Sequence, residues 1–134
     1  MKVVLDTNVL LAGFATRGLC EAVVSICLDH HVTILSQVIL HETAEHLVGK
    51  FKLPAAMVRE RVAFLRDHAE MVEPALVPTD ACRDPEDLPI LGTALAGSAD
   101  CLITGDAVLL TLGSYRGIPI LSPRAFHDRL RCEP

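Results

Sequence analysis

Aspartates follow two short, mostly apolar runs of this chain, at positions where carboxylates could bind a divalent cation. Asp6 follows residues 2–5, and one hundred positions later Asp106 follows residues 101–105. A continuous apolar run is typical of a strand buried on both faces of a parallel sheet. The carboxyl ends of such strands meet at one edge of the sheet, where open α/β folds bind their ligands. The sequence therefore predicts two neighbouring carboxylates, which repel each other unless a cation or a basic group lies between them.

A third acidic group, Asp84 with Asp87, lies in the turn 83–87 before a predicted helix. Negative charge is favoured near a helix N-terminus, so the acids of this turn can lie close to the acids at the two strand ends. A carboxylate cluster without neighbouring Cys or His ligands suits hard cations such as Mg²⁺ or Mn²⁺. These ions support phosphoryl transfer by activating water and by holding the attacking and leaving oxygens. Each aspartate alone could equally cap a helix or lie in a solvated turn, but together they favour a metal site.

Alternating strands and helices predict an α/β fold, specifically a three-layer α/β/α sandwich with a central parallel sheet. The predicted strands are residues 2–5, 32–35, 101–104 and 118–121, with 71–77 at best an edge strand. Helices are predicted over 18–29, over 36–50 with Ser36 as N-cap, from Pro54, up to Ala96, over 107–111, and from Pro123. Gly97 is predicted to end its helix as a C′ residue. No repeat or linker interrupts the 134 residues, which predicts a single domain over 1–134.

Composition favours a cytoplasmic protein without a membrane segment. No apolar stretch approaches the roughly 18 residues that a transmembrane helix needs, and the chain begins with a predicted strand rather than a signal peptide. The five cysteines are an odd number without a CxxC pair, so they predict neither a zinc site nor a disulfide framework. The net charge of −5 argues against a simple basic nucleic-acid groove. Five basic residues could still contact a polyanionic ligand or form a solvated face: Arg17, Lys50, Lys52, Arg59 and Arg61.

Four motifs in this chain resemble those of the PIN-domain nucleases. They are Asp6-Thr7-Asn8-Val9, the segment 36–42 that ends in Glu42, the acidic turn 83–87, and Thr104-Gly105-Asp106. The motifs occur in the same order over nearly the whole chain, and they most resemble the single-domain toxins of toxin–antitoxin pairs. The resemblance implies an α/β/α sandwich with Mg²⁺- or Mn²⁺-dependent endoribonuclease activity, an RNA substrate and a cognate antitoxin. The aliphatic excess additionally suggests a homodimer.

The resemblance also implies a role for each matching residue. The residues expected to bind the metal and act in catalysis are Asp6, Glu42, Asp87 and Asp106. Asn8 and Thr104 match polar residues that support them. Helical periodicity alone does not choose Glu42 over Glu45, because Glu42 lies off the apolar stripe of its helix.

The chain departs from the family pattern at two places. Leu88-Pro89 stand where relatives have an acidic pair, and residues 107–110 are apolar where relatives often carry further charged residues. These departures weaken the case for a second tightly held metal. Asp84 could compensate as a ligand, or it could cap or orient its turn.

Three other functions are alternatives to a nuclease. A phosphoacceptor of the receiver type needs a lysine after a late strand, but no lysine follows Lys52. An aspartyl phosphatase would have Asp-x-Asp after the first strand, and here the third residue is Asn8. The strongest non-enzymatic alternative is a PIN-fold protein-interaction or RNA-binding module with a weak or inactive site. A metal titration separates this module from a nuclease, since only the nuclease needs the cation for turnover.

Overall fold

A six-stranded sheet flanked by helices organises residues 1–132, the part of the chain that the computed structural model describes. The strands are β1 (Lys2–Leu5), β2 (Val32–Leu35), β3 (Ala69–Met71), β4 (Cys101–Ile103), β5 (Ser114–Tyr115) and β6 (Ile118–Leu121). The helices are α1 (Thr7–Ala15), α2 (Leu19–His30), α3 (Gln37–Gly49), α4 (Ala55–His68), α5 (Leu88–Ala96), α6 (Ala107–Leu112) and α7 (Pro123–Cys132). The predicted three-layer α/β/α sandwich with a central parallel sheet is confirmed.

The strand order β3-β2-β1-β4-β6-β5 places the two aspartate-bearing strands side by side. β1 pairs in parallel with both β2 and β4, and only the β5–β6 pair is antiparallel. From β1 the chain adds strands in one direction as far as β3, and then returns to add β4 on the other side of β1. The carboxyl ends of β1 and β4 therefore flank the switch point where open α/β sheets leave a crevice.

The central strands are buried because helices cover them. Val3, Val4 and Leu5 of β1 and all three residues of β4 are buried, which explains why both strands are apolar runs without polar alternation. Phe126 of α7 is fully buried and meets the ring of His31 edge-on at 6.2 Å between ring centroids. This aliphatic core fixes the register of β1 against β4 and hence the position of the residues that follow them.

The structure differs from the sequence prediction at four places. α1 was not predicted, because Thr7 and Asn8 have weak helix propensity and directly follow a strand. An edge strand was expected within residues 71–77. The observed edge strand β3 is Ala69–Met71, so it ends at the first residue of the predicted segment. The antiparallel β5 was missed, since two residues are too short for a periodic signal.

Gly97 is the fourth difference, since it was expected in the left-handed conformation that typically follows a helix. Its φ is −85°, so it ends α5 in an ordinary right-handed conformation. The requirement for glycine is steric: a Cβ at this position would lie 2.7 Å from the side chain of Ile34. Gly97 thus permits close packing of α5 on β2 rather than a special backbone angle.

Within residues 1–132 no single helix is both long enough and apolar enough to cross a membrane. The consecutive helices α1 and α2 have the required length and composition only when taken together, and they are bent by 111° at their junction.

Candidate functional site

A cavity of about 270 Å³ opens at the carboxyl ends of β1 and β4. Its wall is mainly acidic, because four separate segments of the chain contribute carboxyl groups to it. The acidic lining residues are Asp6, Glu42, Asp84, Glu86, Asp87 and Asp106. The other lining residues are Thr7, Asn8, Leu11, His46, Lys50 and Ile90. The fold therefore brings all four predicted metal-binding acids to one cavity, together with Asn8 and Asp84; Thr104 lies buried behind them.

Asp6 is held by hydrogen bonds to both oxygens of its carboxylate. Oδ1 accepts from the backbone N–H of Thr7 at 2.7 Å, as expected for the N-cap of α1. Oδ2 accepts from Oγ1 of Thr104 at 2.8 Å and from Nδ2 of Asn8 at 3.2 Å. Burial raises the pKa of Asp6 above 3.8, and the hydrogen bonds from Thr104 and Thr7 offset part of that rise. Asp6 is thus a fixed, buried carboxyl group at the floor of the cavity.

Asn8 and Thr104 connect Asp6 to the Thr-Gly-Asp motif. Oδ1 of Asn8 accepts from the backbone N–H of Gly105 at 2.8 Å, and Oγ1 of Thr104 accepts from the N–H of Asp106 at 3.0 Å. A Cβ at Gly105 would lie 3.3 Å from Oδ1 of Asn8, so a larger residue would crowd this contact. The two polar residues predicted as supporting therefore join the loops after β1 and β4.

Three aspartates converge at the opposite side of the cavity. Carboxylate oxygens of Asp84, Asp87 and Asp106 all lie within 4.8 Å of one another. Asp106 is the N-cap of α6, and its Oδ1 accepts from the N–H of Val108 at 2.7 Å. Oδ1 of Asp84 accepts from the N–H of Glu86 at 3.0 Å and caps the 3₁₀ turn Pro85–Asp87. Asp84 therefore orients its turn and also belongs to a cluster that could hold a metal ion.

Asp87 is the most perturbed carboxyl group of this cluster. Burial and the nearby charges of Asp106 and Asp84 raise its pKa to about 7. Its Oδ2 atom is buried and accepts no hydrogen bond from any residue in the described part of the chain. A buried carboxylate oxygen without a donor is stabilised by a proton or by a cation. The oxygen donors of this cluster suit a hard divalent ion, so the residues present fit the metal that was predicted.

Glu42 enters the cavity from α3. Its Oε2 accepts a hydrogen bond from Oγ1 of Thr7 at 3.1 Å, which ties α3 to the start of α1. Glu45, the alternative that periodicity allowed, is exposed and pairs with His41 at 2.9 Å. Of the two glutamates, only Glu42 lines the acidic cavity.

Sequence reasoning did not include His46, which lines the acidic cavity on the same helix as Glu42. Lys50 was named only as one of five basic residues, and it lines the same cavity. They follow Glu42 at intervals of four residues, which places the three side chains along one face of α3. The four-residue spacing is visible in the sequence, but it gains meaning only once Glu42 is known to face the acidic cavity.

The five basic residues considered for RNA contact do not share one surface with the acids. Lys50 is the one of the five that lines the acidic cavity. Arg61 lies over the ring of Phe14 at 5.3 Å, and Phe14, Met57 and Phe64 line an apolar groove beside it. The predicted basic cluster is therefore divided between the acidic cavity and other parts of the surface.

Comparison with known proteins adds a sequence-family match to this geometry. Residues 2–107 match the family model of the PIN domain. The chain belongs to the PIN-domain family. The match spans β1 through the first residue of α6, so it includes every residue of the acidic cavity. PIN-domain membership places the protein in a family of nucleases, and it agrees with the resemblance found in the four motifs.

Solved structures share the PIN fold of this chain. The crystal structure of VapBC2 from Rickettsia felis bound to a promoter DNA fragment matches with a TM-score of 0.63 at 13% identity, covering 91% of this chain and 98% of the other. The structure of VapBC-1 from nontypeable Haemophilus influenzae also matches with a TM-score of 0.63, at 18% identity, covering 92% of this chain and 99% of the other. At these identities the likeness concerns the fold. No curated protein matches the sequence significantly.

Proposed function

We propose that this PIN-domain protein is a metal-dependent endoribonuclease that hydrolyses RNA phosphodiester bonds. The observation that carries the proposal is Oδ2 of Asp87, a buried carboxylate oxygen without a hydrogen-bond donor beside Asp84 and Asp106. A buried, ionised oxygen without a partner destabilises the folded protein, whereas a cation beside it removes this cost. A purely structural acidic turn would instead satisfy this oxygen with a backbone or side-chain donor.

Mg²⁺ or Mn²⁺ would be held by Asp6, Glu42, Asp87 and Asp106, with Asp84 as a further oxygen donor. When bound, such an ion polarises the phosphate and makes water a better nucleophile at neutral pH. The protein supplies the geometry around the ion. Thr104 and Asn8 orient Asp6 through hydrogen bonds, and Thr7 orients Glu42. Support of this kind typically changes metal affinity or activity by about 10–100-fold.

Asp87 is the acid best suited to exchange a proton in this site. A pKa near 7 lets its carboxyl group be protonated or ionised under physiological conditions. It stands at the end of the turn Pro85–Asp87 and is the N-cap of α5, so its position is set by two backbone segments. Burial and the neighbouring negative charges favour its protonated form, and a cation held by this cluster would favour the ionised form instead.

The decisive experiment measures cleavage of an end-labelled single-stranded RNA by the purified protein. We expect internal cleavage with Mg²⁺ or Mn²⁺ and none in EDTA, with a DNA oligonucleotide of the same sequence as the substrate control. Asp67→Asn is a matched control for Asp→Asn changes in the site, since Asp67 is exposed on α4. If the folded protein binds metal but leaves RNA intact, the alternative of a binding module with an inactive site is correct.

We further propose that this protein is a cytoplasmic toxin neutralised by a cognate antitoxin, because two solved structures that share its fold are of VapBC proteins. An apolar groove with half-exposed Phe14 and the exposed side chains of Met57 and Phe64 supports a protein partner. Expression of the protein alone should arrest bacterial growth, and co-expression of the product of a short adjacent gene should relieve the arrest. Growth unaffected by active protein would exclude the toxin role. Light scattering on the purified protein tests the expected homodimer.

A further inference from the structure

Three side chains line one wall of the acidic cavity: Glu42 and His46 of α3, and Lys50, which directly follows this helix as its C-cap residue. Successive members are four residues apart, so each lies about 6 Å further along the helix axis. We propose that His46 and Lys50 bind backbone phosphates of the RNA strand and set the direction in which it crosses the site. The inference rests on the proposed nuclease function and adds to it the residues that hold the substrate.

Charge balance in the cavity is the first argument. Six carboxyl groups line it, and His46 and Lys50 are the two basic side chains among the lining residues. One divalent cation offsets two negative charges, so the floor remains unfavourable for a polyanion even when a metal is bound. An RNA phosphate is therefore best accommodated where the hydrogen-bond donors of His46 and Lys50 lie. Among the described residues, these two side chains lie on the side of the cavity formed by α3 and its C-cap.

The second argument is that both side chains are available to a ligand. His46 and Lys50 are exposed, and neither takes part in an ion pair within residues 1–132. The ion pair on α3 joins His41 to Glu45 instead, outside the acidic cavity. Nζ of Lys50 lies 6.0 Å from the ring centroid of Phe51, a loose contact that leaves its ammonium group accessible. Unpaired basic groups beside so many acids are suited to an incoming anion.

The third argument is order along the helix. Glu42 is tied to the floor of the cavity through Thr7, and His46 and Lys50 follow it one and two turns further along the chain. An imidazole can donate a hydrogen bond to a phosphate oxygen, and an ammonium group acts as a mobile positive charge. His46 thus contacts the phosphate nearest the reacting bond, and Lys50 contacts one further along the strand.

The test measures RNA affinity and cleavage separately for His46→Gln and Lys50→Gln. We expect KM for a single-stranded RNA to rise about five- to twentyfold in each variant, while kcat changes less than about threefold. Lys50→Gln should also flatten the logarithmic salt dependence of binding to a fluorescein-labelled RNA by about 0.7, the value for one phosphate contact on a single strand. Lys50→Arg should restore both quantities, because it keeps the positive charge.

Matched controls are available elsewhere in the chain. His41→Gln changes an exposed histidine of the same helix, and Lys2→Gln removes a lysine at the opposite end of β1. Neither should alter KM or the salt slope. Thermal unfolding of all variants checks that the fold is intact, which the exposure of His46 and Lys50 leads us to expect.

The outcomes separate this inference from the proposed function. Metal-dependent cleavage with unchanged KM and salt slope in both variants would overturn the phosphate contacts and leave the nuclease intact. A weaker metal affinity in His46→Gln at unchanged RNA affinity would make His46 a metal ligand instead. If the wild-type protein does not cleave RNA, the nuclease proposal fails. RNA binding then decides the inference, since an equal salt slope in Lys50→Gln and the wild type contradicts it.

Discussion

Oγ1 of Thr104 donates a 2.8 Å hydrogen bond to Oδ2 of Asp6, across 98 positions of the chain. The same hydroxyl oxygen accepts the backbone N–H of Asp106 at 3.0 Å. One buried side chain therefore fixes the relative positions of two acids that follow neighbouring strands. This contact exists because β4 pairs directly with β1, with Leu5 opposite Ile103.

The first prediction concerns the metal-binding acids. Asp6→Asn and Asp106→Asn keep the side-chain size but remove a negatively charged ligand, so RNA cleavage should fall at least about a hundredfold in each. Single-turnover cleavage with purified variants measures this effect. Asp67→Asn, on the exposed side of α4, should cleave at the wild-type rate. Wild-type activity in Asp6→Asn or Asp106→Asn would exclude the assignment of these acids.

The second prediction concerns the hydroxyl of Thr104. Thr104→Val leaves Oδ2 of Asp6 with the single donor Asn8, so the pKa of Asp6 should rise further and the ionised site should become less favourable. We expect a loss of about 1–3 kcal/mol in unfolding free energy at neutral pH and about 10–100-fold in activity. Thr104→Ser should retain most of both. Thr111→Val removes an exposed hydroxyl bonded only within α6 and should change neither by a comparable amount.

The third prediction concerns the pH dependence of stability without metal. The folded-state pKa of Asp87 is about 7 against an ordinary value of 3.8, so the native protein holds a proton that the unfolded chain has lost between these values. The stability of the wild type in EDTA should therefore fall as pH rises from about 4 to 7. Asp87→Asn removes this penalty and should be more stable than the wild type at pH 8 by about 1–2 kcal/mol, less than the full shift because the site opens to solvent.

Urea unfolding of the wild type and Asp87→Asn at pH 4, 6 and 8 measures that difference. The two stability curves should approach each other as the pH falls toward 4, where the carboxyl group is neutral in the folded state and close to its unfolded-state pKa of 3.8. Parallel curves across the whole range would show that Asp87 does not carry the shifted proton equilibrium.

The fourth prediction concerns metal binding itself. A cation that binds the folded state at ten times its Kd stabilises the protein by about 1.4 kcal/mol. Mg²⁺ or Mn²⁺ should raise the melting temperature clearly at pH 7.5, and much less at pH 4.5, where Asp87 is protonated. Asp106→Asn should gain less than the wild type from the same concentration of metal. An equal gain in both proteins would mean that Asp106 does not share the cation.

Several parts of this protein were determined by the sequence alone. The apolar runs at β1 and β4 are short and continuous, so burial between helices is the one environment that suits them. The helices α3 and α4 carry apolar residues at helical spacing, and Ser36 precedes α3 as predicted. These features depend on the local chain, where backbone geometry and periodicity fix the outcome. The order of the four motifs also indicated the PIN-domain family, to which the match over residues 2–107 assigns the chain.

The composition of the candidate site was decided by the tertiary structure. Ser36 stands at its predicted N-cap position, yet its hydroxyl accepts from Thr93 of α5 instead of capping α3. Glu42 and Glu45 are three residues apart on one helix, and only the packing of α3 against α1 determines which of them meets Thr7. That same packing places His46 beside the acids and separates Lys50 from the other four basic residues, because it turns this face of α3 toward the cavity. Distances between residues far apart in sequence depend on strand order and helix packing, which no local pattern encodes.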